Sequence, residues 1–263
     1  MTYNFAIAPW NDIAPDAAWR SLVWSDPKSW WGWHGGFARL HPIFSLPYLS
    51  VLNMSADVMH IVCLGVGQHI LGNVLYALCF DDTYMPGLGS PEERCEEVWS
   101  RIVYQYRINR VETQLGQLKL SFFSNDKSPA SDNPLLTCKA AECRHLVPVL
   151  LAIWGGVCDR SSHHDDDVFV MLESLASFYD AMNANSYFLP EPVQRKVLDC
   201  VNEISIRYRH RSAEARLLEQ NRWREVPKFH YVWHIALQTA SRNPRWSWCY
   251  PDEDFYAPSK PLG

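Results

Sequence analysis

Two widely separated groups of acidic residues have the types and spacing that could hold a metal ion. Asp57 stands between a short apolar run, residues 49–54, and a long apolar stretch, and His60 follows one helical turn later. The second group is Pro251-Asp-Glu-Asp, which contains Glu253. Carboxylates at strand ends suit a hard cation such as Mg²⁺, and a second carboxylate can complete a two-metal cluster for phosphoryl transfer. The alternatives are a helix cap at Asp57 and a solvated acidic surface around Glu253.

Histidine and cysteine spacings offer weaker metal sites. His230 and His234 lie four residues apart, but Tyr231 occupies the position where the metalloprotease pattern requires glutamate. Two further sets combine cysteine with histidine, and neither matches a closed four-ligand zinc site. Packing in the interior is the favoured interpretation of both sets, which are Cys138, Cys143 with His145, and Cys158 with His163 and His164.

A basic segment, residues 195–228, has the composition of a surface that contacts phosphates. It holds nine Lys or Arg residues against five acidic residues, a local charge of +4, with Tyr208, Trp223 and Tyr231 interleaved or adjacent. Basic residues with aromatic neighbours can follow a phosphate backbone and stack on bases. A solvated face with internal ion pairs is the equally weighted alternative. The candidate nucleic-acid-binding residues are Arg207, Arg209, Arg211, Arg222, Arg224 and Lys228.

The composition of the 263 residues is that of a globular protein. Hydrophobic residues make up 48% and charged residues 20%, and the net charge of −5 excludes a global basic field. The apolar stretch 61–80 is interrupted by Gln68, His69 and Asn73, so a buried helix is favoured over a membrane span. The start MTYNFAIAPWND lacks signal-peptide features, and the eight cysteines form no CxxC pair, so an intracellular protein with reduced thiols is expected.

The patterns predict a mainly α protein with five to seven helices between Asp57 and Glu253. Residues 1–57 are expected to form an irregular, Trp- and Pro-rich segment with one strand at Leu49–Met54, residues 58–245 a helical domain, and residues 246–263 an acidic C-terminal stub. The predicted helices are Val58–Cys79, a capping-box helix from Ser90 through Asn109 with Phe122 as its outer limit, Cys138–Trp154 stopped by Gly155-Gly156, His163–Ala184, one opened by Pro190 and Pro192, and Lys228–Ala240.

Four strings occur in an order that resembles DDE transposases of the CACTA type. LSVLNMSADVMHIVCLGVGQHILGNVLYAL resembles the block of the second aspartate, and NPRWSWCYPDEDF resembles the segment of the closing glutamate. CKAAECRHLVPVLLAIW and VPKFHYVWHI lie between them in the same order as in that family. The resemblance covers roughly residues 10–258.

The resemblance implies an RNase H-like core, interrupted by a helical insertion, that uses Mg²⁺ or Mn²⁺ to cut and join DNA in the nucleus. Asp57 matches the second metal-binding aspartate and Glu253 the third carboxylate, while His60 matches the following histidine. His230 and His234 match a histidine-containing stretch to which no chemical role is assigned.

The sequence also departs from the family. Only Asp12, Asp16 and Asp26 precede Asp57, and none lies on an apolar strand that could carry the first aspartate. One predicted strand cannot form a five-stranded core, so a truncated or degenerate copy with an incomplete core is expected. Two carboxylates on an incomplete scaffold do not preorganise a two-metal site. We therefore expect a transposase-derived protein that is catalytically inactive and binds DNA, with a non-enzymatic helical scaffold or interaction domain as the alternative.

Overall fold

A computed structural model describes residues 56–123 and 133–249. The chain divides into two units, Met1–Ala56 and Asp57–Gly263, and every described residue except Ala56 belongs to the second. The predicted strand at Leu49–Met54 and the acidic stub with Glu253 lie outside the described residues, as does most of the predicted loop 125–133.

The described residues form a helical array without β-strands. A π-helical segment, Met59–Gly67, continues directly into the first α-helix. Two short 3₁₀ helices, Leu120–Phe122 and Pro244–Ser247, lie in the connections. The α-helices are α1 Gln68–Phe80, α2 Pro91–Ile108, α3 Ala140–Val157, α4 His163–Asn183, α5 Glu191–Leu217 and α6 Lys228–Gln238. The prediction of a mainly α protein is confirmed for this part of the chain.

The continuous helix Met59–Phe80 lies in the core and bends at Leu64. Leu64 has φ −89° and ψ 18°, outside the helical range, and its carbonyl accepts a hydrogen bond of 2.6 Å from Lys228 Nζ on α6. A Cβ atom on Gly65 would lie 2.4 Å from Lys228 Cδ, so a glycine beside the bend leaves the space that the lysine side chain occupies. The bend thereby fixes the start of α6 against this helix.

Gly72 and Asn73 attach two later segments to α1. Leu136 N–H donates to the carbonyl of Gln68 (3.1 Å), and a Cβ on Gly72 would lie only 2.8 Å from that nitrogen. The side chain of Asn73, 1% exposed, accepts a hydrogen bond from Trp223 N–H (3.1 Å). Backbone groups that leave water need such partners, so these two residues fix the paths of both segments.

Two helices are long and apolar enough to cross a membrane by length and composition, Met59–Phe80 and Ala140–Val157. In Met59–Phe80, 83% of the most apolar 18-residue stretch is buried inside this protein. Core helices of globular proteins can be equally long and apolar. Two of the three polar interruptions noted in the sequence have hydrogen-bond partners in the protein, since Gln68 Nε2 donates to the carbonyl of Cys138 (3.1 Å) and Asn73 accepts from Trp223 N–H.

The predicted start of a helix at the Ser90 capping box agrees with the structure, whereas two predicted helix ends differ from it. The predicted capping box is confirmed, with Glu93 N–H donating to Ser90 Oγ (3.2 Å) and Ser90 N–H to the Glu93 carboxylate. The predicted stop at Gly155-Gly156 is wrong, because α3 continues to Val157. The extension towards Phe122 is also wrong: α2 ends at Ile108, and Arg110 adopts a left-handed conformation with φ 49°.

Alanine substitutions at two glycines test this packing. We expect Gly72→Ala to destabilise the protein, by about 1–3 kcal/mol, because its Cβ would meet backbone atoms of residues 135 and 136. Gly156→Ala is expected to be neutral or stabilising by up to about 1 kcal/mol, since nothing lies within 4 Å and alanine favours a helix. Urea unfolding of both variants checks this, and destabilisation of equal size in the two would contradict it.

Candidate functional site

Asp57 lies at the start of the Met59–Phe80 helix, where its carboxylate accepts backbone hydrogen bonds. Oδ1 accepts from Met59 N–H (3.1 Å) and Oδ2 from His60 N–H (3.0 Å). These are the bonds of a helix cap, because the first N–H groups of a helix have no partner within it. The side chain is largely withdrawn from solvent, at 17% exposure, so its position is fixed.

Two further groups meet Asp57. The imidazole Nδ1 of His60 is hydrogen-bonded to Asp57 Oδ2, and Cys249 N–H, 192 residues away in the chain, donates to Oδ1 at 3.2 Å. One ligand atom from each of Asp57, His60 and Cys249 lies within 4.8 Å of the other two. We call these three residues the Asp57 cluster. Within the described residues it is the single place where three potential metal ligands converge.

The pKa of Asp57 is below its ordinary value of 3.8. Burial acts to raise this pKa, but the hydrogen bonds from the His60 side chain and from the N–H groups of His60, Met59 and Cys249 outweigh it. The carboxylate is therefore ionised at neutral pH, as a metal ligand must be.

The donors of the Asp57 cluster are a poor match for Mg²⁺. This ion prefers oxygen ligands in octahedral geometry, whereas the cluster offers one carboxylate, one imidazole and one thiol. The second carboxylate expected from the sequence, Glu253, lies outside the described residues, so the predicted pairing of Asp57 with Glu253 stays a prediction.

Among the residues that the structure describes, the other candidate metal ligands do not form sites of three. His230 and His234 face each other on α6, with their Nε2 atoms 3.0 Å apart, and so form a pair. Within residues 56–123 and 133–249, neither cysteine–histidine set proposed from the sequence brings three ligand atoms together. A hydrogen bond with Cys138 raises the pKa of the buried Cys143 thiol, and burial raises it further. Burial also raises the pKa of the partly exposed Cys158 thiol.

Two of the six candidate nucleic-acid-binding residues are engaged inside the protein. Arg207 Nη1 binds Asp167 (2.8 Å) and Asp166 (3.1 Å), and Asp167 in particular raises the arginine pKa. Arg211, 6% exposed, donates through Nε to Asp167 (2.9 Å) and is also paired with Glu214. These bonds hold α5 against the N-terminal turn of α4, so the internal ion pairs that the sequence analysis kept as an alternative are present.

The other four residues differ in exposure. Arg209 and Arg224 are exposed, whereas Arg222 and Lys228 are partly buried. Arg222 donates to Gln220 Oε1 (2.6 Å) and lies over the ring of Tyr76, with its Cζ 5.4 Å from the ring centroid. Lys228 is held by the Leu64 carbonyl, and burial lowers its pKa.

Two of the aromatic residues expected to stack on bases belong to the core instead. Tyr208 is 1% exposed and Trp223 is 3% exposed, and their rings meet edge to face with centroids 5.5 Å apart. Tyr208 also packs on Phe229 at 3.9 Å, and its hydroxyl donates to the carbonyl of Arg224 (3.0 Å). Base stacking by Tyr208 and Trp223 is excluded in this conformation, because both rings are covered by protein.

Sequence reasoning missed Cys249 and Asp167. Cys249 stands four residues before Glu253 in the string NPRWSWCYPDEDF, which was interpreted only for its carboxylates. Asp167 belongs to the acidic start of α4, where carboxylates are already favoured by the helix dipole without any distant partner. No local signal pairs Asp167 with an arginine forty or more residues away.

Comparison with protein-family models, with curated proteins and with solved structures finds no match to this chain. The resemblance to CACTA-type transposases therefore stays a prediction from the quoted strings.

Removing Arg211 tests whether its charge serves the fold. We expect Arg211→Met to lower the free energy of unfolding by about 3 kcal/mol, because Asp167 would be left as an incompletely paired buried charge. The matched control is Arg216→Met, which removes a more exposed arginine paired with Glu225 (3.0 Å) and should cost less than about 1 kcal/mol. Urea unfolding measures both losses, and equal losses would contradict the assignment.

The buried His69 predicts a pH dependence of stability. Burial lowers its pKa from 6.5 to about 4, and the nearby cations Lys228 and Arg224 act in the same direction. The unfolded chain binds the proton first as pH falls, so the stability provided by neutral His69 is complete above pH 6.5 and is lost as the pH approaches 4.

Between pH 7 and pH 4, we expect the free energy of unfolding of the wild-type protein to fall by about 3 kcal/mol more than that of His69→Phe. This figure follows from the difference between the pKa of 6.5 and the lowered pKa of about 4. Unfolding measured across this range checks it. Parallel curves for the two proteins would show that His69 does not titrate as described.

Proposed function

We propose that this protein derives from a DDE-type DNA transposase and that this chain retains DNA binding rather than cleavage. The proposal starts from the resemblance of four strings to the CACTA-type family, and it places the protein in the nucleus. Ancestrally, Mg²⁺ or Mn²⁺ held by carboxylates would have supported DNA cleavage and strand transfer. Two features support the proposal: how these strings pack together, and which cations the fold leaves at the surface.

The observation that carries the proposal is that all four strings meet on one helix. The first string contains most of Met59–Phe80, and each of the other three donates or accepts a hydrogen bond with this helix or with Asp57, which caps it. The bonds are Gln68 Nε2 to the Cys138 carbonyl, Lys228 Nζ to the Leu64 carbonyl, and Cys249 N–H to Asp57 Oδ1. Strings that resemble one family in order thus also form one contiguous unit, as expected if they descend together from that family.

We propose that this chain does not cleave DNA because of the potential metal ligands around Asp57. The groups that meet this carboxylate are the imidazole of His60 and the residue Cys249, which offers a thiol. Among the residues that the structure describes, no second carboxylate joins Asp57 in a group of three ligands. Two-metal chemistry requires several carboxylates that hold two hard cations a few ångströms apart. The described residues provide one such carboxylate, that of Asp57.

The DNA contact is assigned to the cations that the fold leaves at the surface. Arg209 and Arg224 are exposed, and both belong to the basic segment 195–228. With few phosphate contacts and a net charge of −5 for the whole chain, binding is expected to be weak, independent of sequence and sensitive to salt.

The experiment measures binding of the full chain to a labelled DNA duplex by fluorescence anisotropy at several salt concentrations. We expect Arg209→Ala/Arg224→Ala to weaken binding and to reduce the slope of log K against log salt by about 2, one for each phosphate that is no longer neutralised. The matched control, Arg107→Ala/Lys119→Ala, removes two exposed cations from outside the basic segment. Equal effects of the two variants, or no binding at low salt, would overturn the proposal.

One observation favours the alternative, a helical scaffold or interaction domain. Three exposed aromatic residues cluster around Tyr187, whose ring contacts those of Phe188 and Trp246; the exposed fractions are 42% for Tyr187, 71% for Phe188 and 64% for Trp246. Exposed aromatic clusters of this kind are common at protein interfaces. Absence of DNA binding at low salt would leave this alternative as the better account.

A further inference from the structure

We propose that Asp57, His60 and Cys249 bind a single transition-metal ion of the Zn²⁺ class, which fastens the chain around Cys249 to the start of the Met59–Phe80 helix. This inference does not depend on a transposase origin. It concerns a different ion from the Mg²⁺ that the resemblance implies, and a different set of ligands.

The geometry comes first. The three candidate ligand atoms lie within 4.8 Å of one another, although Cys249 is 192 residues from Asp57 in sequence. In a tetrahedral zinc site, with metal–ligand bonds of about 2.0–2.3 Å, neighbouring ligand atoms are separated by roughly 3.3–3.8 Å. Small side-chain rotations therefore bring the Asp57 cluster to the required separations.

The chemistry of the donors selects the ion. A thiolate and an imidazole favour Zn²⁺, Co²⁺ or Fe²⁺ over Mg²⁺, and a carboxylate oxygen completes many zinc sites. Three protein ligands leave a fourth position for water. Mg²⁺ would have to accept sulfur and nitrogen in place of oxygen, which disfavours it at these residues.

The surroundings hold the ligands in place. The Asp57 carboxylate is fixed by the N–H groups of Met59, His60 and Cys249, so its orientation is set before an ion arrives. Outer hydrogen bonds of this kind orient ligands in known metal sites. The side chain of His60 is 53% exposed, which gives an ion a route from solvent.

The proton balance of binding follows from the ligands. The thiol of Cys249 loses one proton to solvent when its sulfur binds the ion. When the ion is bound, the imidazole of His60 is neutral with its one proton on Nε2, so that Nδ1 binds the ion in place of the hydrogen bond to Asp57. Binding releases at least the thiol proton, and affinity is therefore expected to fall as the pH falls.

The experiment uses Co²⁺ as a spectroscopic probe on the full chain after treatment with a chelator and a reductant. We expect one Co²⁺ per chain, with a thiolate-to-metal charge-transfer band, displaced by Zn²⁺ and not by an excess of Mg²⁺. Cys249→Ser should abolish the band, and His60→Ala should weaken Co²⁺ binding by at least about tenfold. Asp57→Asn should also weaken Co²⁺ binding, although the asparagine side chain can still cap the helix.

Cys158→Ser is the matched control, since it removes another partly exposed thiol that lies outside the cluster. It should leave the band unchanged. The proposal is overturned if wild-type protein gives no band, if the band survives Cys249→Ser, or if Mg²⁺ displaces Co²⁺. Each of these results leaves the DNA-binding proposal standing, because that is measured through Arg209 and Arg224.

Discussion

Three polar groups on the buried Met59–Phe80 helix are hydrogen-bonded to later segments of the chain, and the paths of those segments follow from these bonds. Asn73 binds the backbone at Trp223, the Gln68 carbonyl receives Leu136 N–H, and the Leu64 carbonyl receives Lys228. An unpaired polar group in the interior costs several times the net gain of one hydrogen bond, so each of these contacts constrains a whole segment. Gly65 and Gly72 make two of them possible by leaving space for the approaching atoms.

A second constraint acts between α4 and α5, where charge rather than close approach fixes the packing. Asp167 is 3% exposed and has Arg207 and Arg211 as partners from successive turns of α5. Because a buried carboxylate is tolerated only when paired, the acidic start of α4 fixes the rotation of α5 about its axis. The same bonds bury Arg211 and pair Arg207 with two carboxylates, so a local charge of +4 counted along the sequence overstates the cations available to a phosphate backbone.

Periodicity and capping chemistry predicted the helices because both depend on neighbouring residues. The capping box at Ser90 is such a case, and so is the apolar pattern of the first helix. The end of α3 could not be predicted in the same way, since glycine permits a helix as well as a turn and local sequence does not decide between them. The exposure of the basic residues also depends on tertiary structure: Tyr208, Trp223 and Arg211 became core residues through partners that no spacing rule identifies.

Asp57 shows how far a motif can specify chemistry. The sequence assigns it two roles, a helix cap and a metal ligand, and the geometry makes these compatible, since the cap bonds orient the carboxylate that a metal ion would bind. The identity of the ion depends on the other donors. A neighbouring carboxylate would select a hard cation, whereas the imidazole of His60 and the thiol of Cys249 select a softer one. The donor atoms beside Asp57 in space, and not its sequence motif alone, would therefore decide which metal chemistry this site can support.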